Sequence, residues 1–182
     1  MGCAARGLPH MRTAILAVLL AAFAAAPAHA QSIAEHARGV ALDVLKDPTT
    51  YAPAAASEIG KTLDWVSSQR FFAAGYVEAN PHYTISGLPH DRPVSRATGH
   101  RLNLEVSLRV LGYSAANNAI NHAATRALSA RFPQHKRLIR IASIVERVAF
   151  AVGTGYLNSA KNFRQWRKNV NAPIQPVGAL AW

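Results

Sequence analysis

Cysteine, acidic residues and complete catalytic signatures are what this sequence has least of. Its single cysteine, Cys3, falls in a segment read below as a cleaved leader. The remaining chain then forms neither a disulfide nor a thiolate metal site, and no disulfide-linked partner is expected. The 9 acidic residues face 20 lysines and arginines. No HExxH or other ligand spacing joins His82, His90, His100, His122 and His135, so these read as solvated histidines and no metal is expected. No G-x-S-x-G is present, and Ile85-Ser86-Gly87 is only a loop fragment. Nothing implies a cofactor, no catalytic residue can be assigned, and no internal repeat occurs.

What is present begins with an address. Arg6 and Arg12 precede the apolar run Thr13–Ala26, and Pro27-Ala28-His29-Ala30 supplies the small residues of an A-x-A site. This pattern predicts a secretory signal peptide cut after Ala30, with Met11 as an alternative start. The run is shorter than the ~20 residues of a membrane span and is closed by proline. Lipidation at Met1-Gly2-Cys3 is set aside because Arg6 stands where a myristoylation motif has Ser or Thr. Loss of Arg6 and Arg12 lowers the formal net charge from +11 to +9. An exported protein this basic favours an anionic membrane surface or an envelope protein as partner, unless the charge serves only solubility. Nucleic acid is an unlikely target, because the basic residues are dispersed and export removes the usual ligand.

The pattern predicts an all-α fold: a small bundle of about four helices forming one domain, residues 31–168, with an extended tail, 169–182. Ile33, Ala37, Val40 or Ala41, and Val44 carry a first helix that stops at Asp47-Pro48. After a Pro48–Pro53 turn, Ile59, Leu63, Val66, Ala73 and Val77 mark the apolar face of a second. Gly75, Asn80, Pro81, Gly87, Pro89 and Pro93 make a long loop, which in a compact domain is functional or loosely ordered. Leu102, Leu104, Val106, Leu108 and Val110 alternate with polar residues as a strand would. No turn or partner strand follows, so the segment is read as a long helix whose stripe is Val106, Val110, Tyr113, Asn117, Ile120, Ala124 and Leu128. Phe132-Pro133 ends it. A fourth helix, from about Gln134 to Lys168, carries Ile141, Val145, Val148, Val152, Gly155, Ser159, Phe163 and Trp166.

Val148–Leu157 is apolar on every side, as a lipid-facing or fully buried helix is. Extension to membrane length takes in Glu146 and Arg147 or Asn158 and Lys161, and a charge at the bilayer centre costs ~3 kcal/mol. A soluble or peripheral bundle is therefore preferred to a spanning one. Lys161, Phe163, Arg164, Trp166, Arg167 and Lys168 resemble an interfacial anchor and are the candidate contact with an anionic surface.

The polar candidates are Asp64, Ser68, Glu78, Asn80, Asn117, Asn121 and His122. On a continuous helix Asp64 and Glu78 share a face but stand ~21 Å apart, which excludes a paired-carboxylate mechanism if that helix is straight. Asn117 interrupts an apolar stripe and needs a partner, and a polar clamp that fixes helix register is preferred to a ligand pocket. Asn80 before Pro81 marks a helix end. Asp64-x-x-Ser67-Ser68 followed by Gly75-x-x-Glu78-x-Asn80-Pro81 resembles a group of small uncharacterised bacterial proteins, mostly membrane-associated. These carry Asp-x-x-[Ser/Thr] and then Gly-x-x-Glu-x-Asn-Pro. The resemblance spans about Lys61–Trp166 and implies a helical envelope protein without carrying over a catalytic residue. The polar surroundings of Asp64 depart from that pattern. Two functions stay open beside an integral helical hairpin: a noncatalytic envelope component with a basic, aromatic face, and a small hydrolase or binding protein with a pocket around Glu78, Asn117 and His122. The sharpest expectation is a tie from Glu78 or Asn80 to the Asn117–His122 level.

Overall fold

The computed structural model describes residues 33–174. The expected leader, Met1–Ala30, and the last part of the expected tail, 175–182, lie outside the described residues. The described chain is all-α, with α1 (Ile33–Lys46), α2 (Pro48–Ala73), α3 (Arg96–Arg131) and α4 (Lys136–Asn171). Short 3-10 turns at Pro81–Tyr83 and Pro133–His135 precede α3 and α4. The alternating stretch Leu102–Val110 lies inside α3 and is helical. The long loop falls between α2 and α3, where its prolines and glycines put it.

Two boundaries differ from expectation. The Pro48–Pro53 segment is the first part of α2, not a turn. Pro48 occupies the first helical position, where its missing N–H has no intrahelical acceptor and its fixed φ suits the helix. At the other end α4 continues through Asn169, expected in the tail, because that side chain is buried and hydrogen-bonded to α2.

Two compact units are built from these helices. One comprises α1 with Asp47, the part of α3 from Ala115 onward, and α4 up to Ala149. The other comprises α2, the loop, α3 through Ser114, and α4 from Phe150.

In both units much of the expected apolar face turns outward, although Val44, Val110, Gly155 and Ser159 are buried as expected. Among the described residues ten polar ones are buried, and the buried apolar side chains are Val44, Pro53, Trp65, Val110, Ala123 and Ala151. Along α3 the inward line in the second unit is Gly99, Asn103, Ser107, Val110 and Ser114. Of the expected α3 stripe only Val110 is buried, and Tyr113 is 67 % exposed. The expected α2 face turns out as well: Ile59, Val66 and Val77 are exposed, while Thr50, Pro53, Ser57, Gly60 and Trp65 are buried. On α4 the expected stripe divides: Ile141, Val145, Val148 and Val152 are exposed, Gly155 and Ser159 are buried as expected, and Ser143 and Ala151 join them on the inward side. Helical periodicity located the helices correctly, but the ridge that packs is the small, polar one.

Small side chains explain why. A Cβ on Gly155 would stand 3.6 Å from the Pro53 Cα, and one on Gly60 would stand 3.3 Å from the Ser159 carbonyl oxygen. The backbones of α2 and α4 thus approach more closely than Leu or Ile ridges permit. Some polar groups on these faces bond locally, as where Ser159 Oγ donates to the Gly155 carbonyl at 2.6 Å and the half-buried Asn158 Nδ2 to that of Thr154 at 2.8 Å. Such back-bonding satisfies the group without a partner on another helix.

Trp65 is the large exception. It is 4 % exposed, donates from Nε1 to the Arg96 carbonyl at 3.1 Å, and lies against Phe72 and Tyr83. Its indole fills the space a side chain at position 99 would occupy. Gly99→Ala should therefore cost ~1–3 kcal/mol by overpacking, read as a lower denaturation midpoint at unchanged m-value. An unchanged midpoint would disprove this packing.

Candidate functional site

The second unit contains the motif residues. Helix α2 ends at Ala73, and Gly75, at φ 92°, turns the chain back. Ala74, Gly75 and Tyr76 close the helix by bonding to the Phe71 and Phe72 carbonyls. Glu78 then pairs its N–H with the Asp91 carbonyl at 2.9 Å. The straight helix that kept Asp64 and Glu78 ~21 Å apart therefore does not exist, and the returning chain brings the Glu78 charge to bear on Asp64. Asn80 is not the end of α2. Its Oδ1 accepts from the His82 N–H at 3.1 Å and caps the 3-10 turn, while Glu78 Oε1 accepts from the Asn80 N–H at 2.7 Å. Glu78 and Asn80 thus make these side-chain bonds within their own loop, not with the Asn117–His122 level.

Asp64 is half-buried beside Ser67, Ser68 and Asn169. Asn169 Nδ2 lies 3.4 Å from Asp64 Oδ1, 3.0 Å from Ser67 Oγ and 2.9 Å from Ser68 Oγ. Burial, and next the Glu78 charge, push the Asp64 carboxyl up to about 6, against the pull of Ser68 and Lys161. Burial also pushes the Tyr83 phenol up to about 12, aided by the charges of Asp64, Glu78 and Glu58. Tyr83 Oη donates to Asn103 Oδ1 at 2.6 Å, and Asn103 Nδ2 is buried without a partner among the described residues. A carboxyl poised near neutrality can hold or release a proton. The neighbouring hydroxyls have structural bonds, since Ser67 Oγ donates to the Asp64 carbonyl at 2.9 Å and Ser68 to its side chain.

The first unit holds the other polar candidates in a buried ion network. Asp47 Oδ2 lies 2.6 Å from Arg147 Nε and 3.2 Å from His122 Nε2. The Asp47 and Arg147 side chains are only 9 % and 11 % exposed. His122 is thus an internal partner, not the solvated residue its sequence position suggested. Arg147 also donates to Asn121 Oδ1 at 2.7 Å and to Ser143 Oγ. Asn121 Nδ2 donates to Glu146 at 2.6 Å, and Ser143 donates to Asn121 Oδ1. Asn121 and His122 thus bond across helices, Asn121 from α3 to α4 and His122 from α3 to Asp47 at the end of α1. Asn117 does not share in these bonds: its Nδ2 is buried without a partner among the described residues, and the neighbouring Asn118 is fully buried.

Beside this network a cleft of about 630 Å³ opens among α1, α3 and α4. Asp43, Arg126, Lys136 and Arg140 line it with Thr125, Ser129 and Ser143. Sequence reasoning did not find this cleft. The available signal was Lys136, Arg140, Ser143 and Arg147 at i, i+4, i+7 and i+11 on one face of α4.

The expected interfacial segment divides. Lys161, Arg164, Arg167 and Lys168 are exposed, while Phe163 packs on Gly60 of α2 and Trp166 is half-buried. Among the described residues no helix is long and apolar enough to cross a membrane, and no three His, Cys, Asp or Glu side chains gather as a metal set. Comparison of the chain with family models, curated proteins and solved structures finds no match.

Two outcomes follow from this chemistry. The Asp64 carboxyl is raised in the fold above its ordinary value of 3.8, so its contribution to stability is full below pH ~4 and is lost as pH rises through ~6. Asp64→Asn should flatten that pH dependence and raise the melting temperature at pH 7.5 by a few degrees, a gain limited by solvent screening. A lower melting temperature at pH 7.5 would reverse the assignment. Asp47→Ala should cost ~3–5 kcal/mol by leaving Arg147 buried without its counter-charge. Adding Arg147→Met should restore part of that, as chemical denaturation can measure; purely additive losses would mean the two charges are not coupled.

Proposed function

We propose that the protein is a noncatalytic, exported envelope component that lies against an anionic membrane surface. One observation carries this reading: the large apolar side chains of α4 face outward, between two groups of exposed cations. In the first unit the exposed apolar residues are Leu138, Ile141, Ile144, Val145 and Val148, beside Lys136, Arg137 and Arg140. In the second, Val152, Tyr156 and Leu157 are exposed ahead of Lys161, Arg164, Arg167 and Lys168. A helix lying in a lipid interface has this composition, with an apolar face in the acyl boundary and cations among the headgroups.

Large apolar side chains exposed in such number within each unit are more than a freely soluble monomer ordinarily shows and support a contact role. The excess of basic residues selects the occupant, because anionic phospholipid headgroups complement it and zwitterionic or neutral ones do not. Export by the Met1–Ala30 leader and kinship with membrane-associated proteins sharing the Asp64 and Gly75–Pro81 motifs belong to the same proposal. Phe163 has no part in it, because its ring packs on α2.

Vesicle flotation tests the reading. The protein should bind phosphatidylglycerol vesicles at low salt, weakly at high salt, and bind phosphatidylcholine little. Replacing Arg164, Arg167 and Lys168 with alanine should weaken binding on the order of 100-fold, at about 1 kcal/mol for each cation near the surface. Equal binding to both vesicles at high salt would remove the electrostatic part. Failure to bind either vesicle would overturn the whole.

A further inference from the structure

We infer that the cleft of the first unit is a binding site for a phosphomonoester, a role that does not depend on the membrane reading. Its charge is unbalanced in favour of an anion. Arg147 and His122 are answered by Asp47. Arg126 is answered by Asp43, whose Oδ2 accepts from Nε at 3.0 Å and from Nη2 at 2.7 Å. Lys136 and Arg140 line the same cleft with no acidic partner among the described residues, and Asp43 is the only carboxylate on its walls. Two uncompensated cations on one helical face match a dianionic phosphate, which guanidinium and ammonium groups bind by charge-assisted hydrogen bonds.

The neutral groups suit the same ligand. Ser129 offers a hydroxyl from α3 opposite the α4 cations. Thr125 Oγ1 donates to Ser143 Oγ at 2.7 Å, which fixes the floor of the cleft through the Arg147 network. A volume of about 630 Å³ is larger than inorganic phosphate needs. It lies within the ~300–1,000 Å³ range of small-molecule sites, so the phosphate can carry an organic group. Ile144 supplies an apolar wall for that group.

The source of the ester is either a free metabolite or a lipid headgroup, and titration separates them. Calorimetry with glycerol 3-phosphate should give saturable binding, with inorganic phosphate binding more weakly. The Lys136→Ala, Arg140→Ala double variant should lose at least 10-fold in affinity with an unchanged melting temperature, since both side chains are exposed. Arg164→Ala with Lys168→Ala, in the other unit, should leave glycerol 3-phosphate binding intact while weakening vesicle binding. That pair of readouts keeps failure of this site distinct from failure of the membrane reading. Binding to phosphatidic acid vesicles in excess of phosphatidylglycerol vesicles of equal charge, with that excess lost in the double variant and no soluble binding, would assign the site to a phosphomonoester headgroup. Absence of binding in both forms, or binding indifferent to the double variant, would overturn the proposal.

Discussion

Close approach of helix backbones is the constraint on which the rest of this structure depends. Gly60 and Gly155 let α2 and α4 meet almost backbone to backbone, and the same logic places Ser57, Ser107 and Ser114 on the inward line. Once small residues occupy that line, large aliphatic side chains have nowhere to go but outward. Burial of apolar area, the usual driving force, is correspondingly limited inside each unit, and dispersion contacts between closely packed chains take a larger share. Such packing is stable where the outward apolar face is itself covered. Structure and proposed location are therefore two aspects of one design.

Polar groups inside such a bundle have to be satisfied at short range. A hydroxyl that donates one turn back along its own helix, as Ser159 does to Gly155, achieves this cheaply. Charged groups cannot do so, and the Asp47, His122 and Arg147 cluster instead joins three helices through one carboxylate. A buried pair of this kind adds little net stability relative to apolar packing, but it penalises any other helix register. Asp64 takes the opposite course. It has no cation within ion-pairing distance among the described residues, shares Asn169 with two serines, and answers burial by holding its proton longer.

Much of the architecture was legible in the sequence. Proline at Pro81 and Pro133 and the 3.6-residue recurrence of apolar positions located four helices and the intervening loop. The alternation at Leu102–Val110 resolved correctly because α3 continues without a turn signal. The inward faces were not legible. Periodicity reports that apolar residues share a side, and the inference that this side is buried presumes water outside. Val145 and Val148 keep perfect helical spacing while pointing away from the bundle, so spacing alone cannot distinguish a core face from a lipid or partner face. Pro53 was misread for a different reason: proline usually ends a helix, but here its compact ring sits where α4 presents Gly155.

The candidate sites were legible only in part, and the reason is chain reversal. A continuous helix puts Asp64 and Glu78 on one face and ~21 Å apart, but Gly75 terminates that helix, so neither the shared face nor the distance holds. A single positive-φ glycine thus converts two separated carboxylates into an interacting pair. Asn121 and His122 were picked out for their polarity among apolar neighbours, but their partners were not, because Asp47 reads as a helix stop and Arg147 as an interruption of an apolar run. Each is ordinary in its local sequence and becomes informative only when α1, α3 and α4 meet. The charge left over in that meeting, on Lys136 and Arg140, is what distinguishes a binding cleft from a structural clamp: a clamp closes its own electrostatic balance, and this one stays open by two cations.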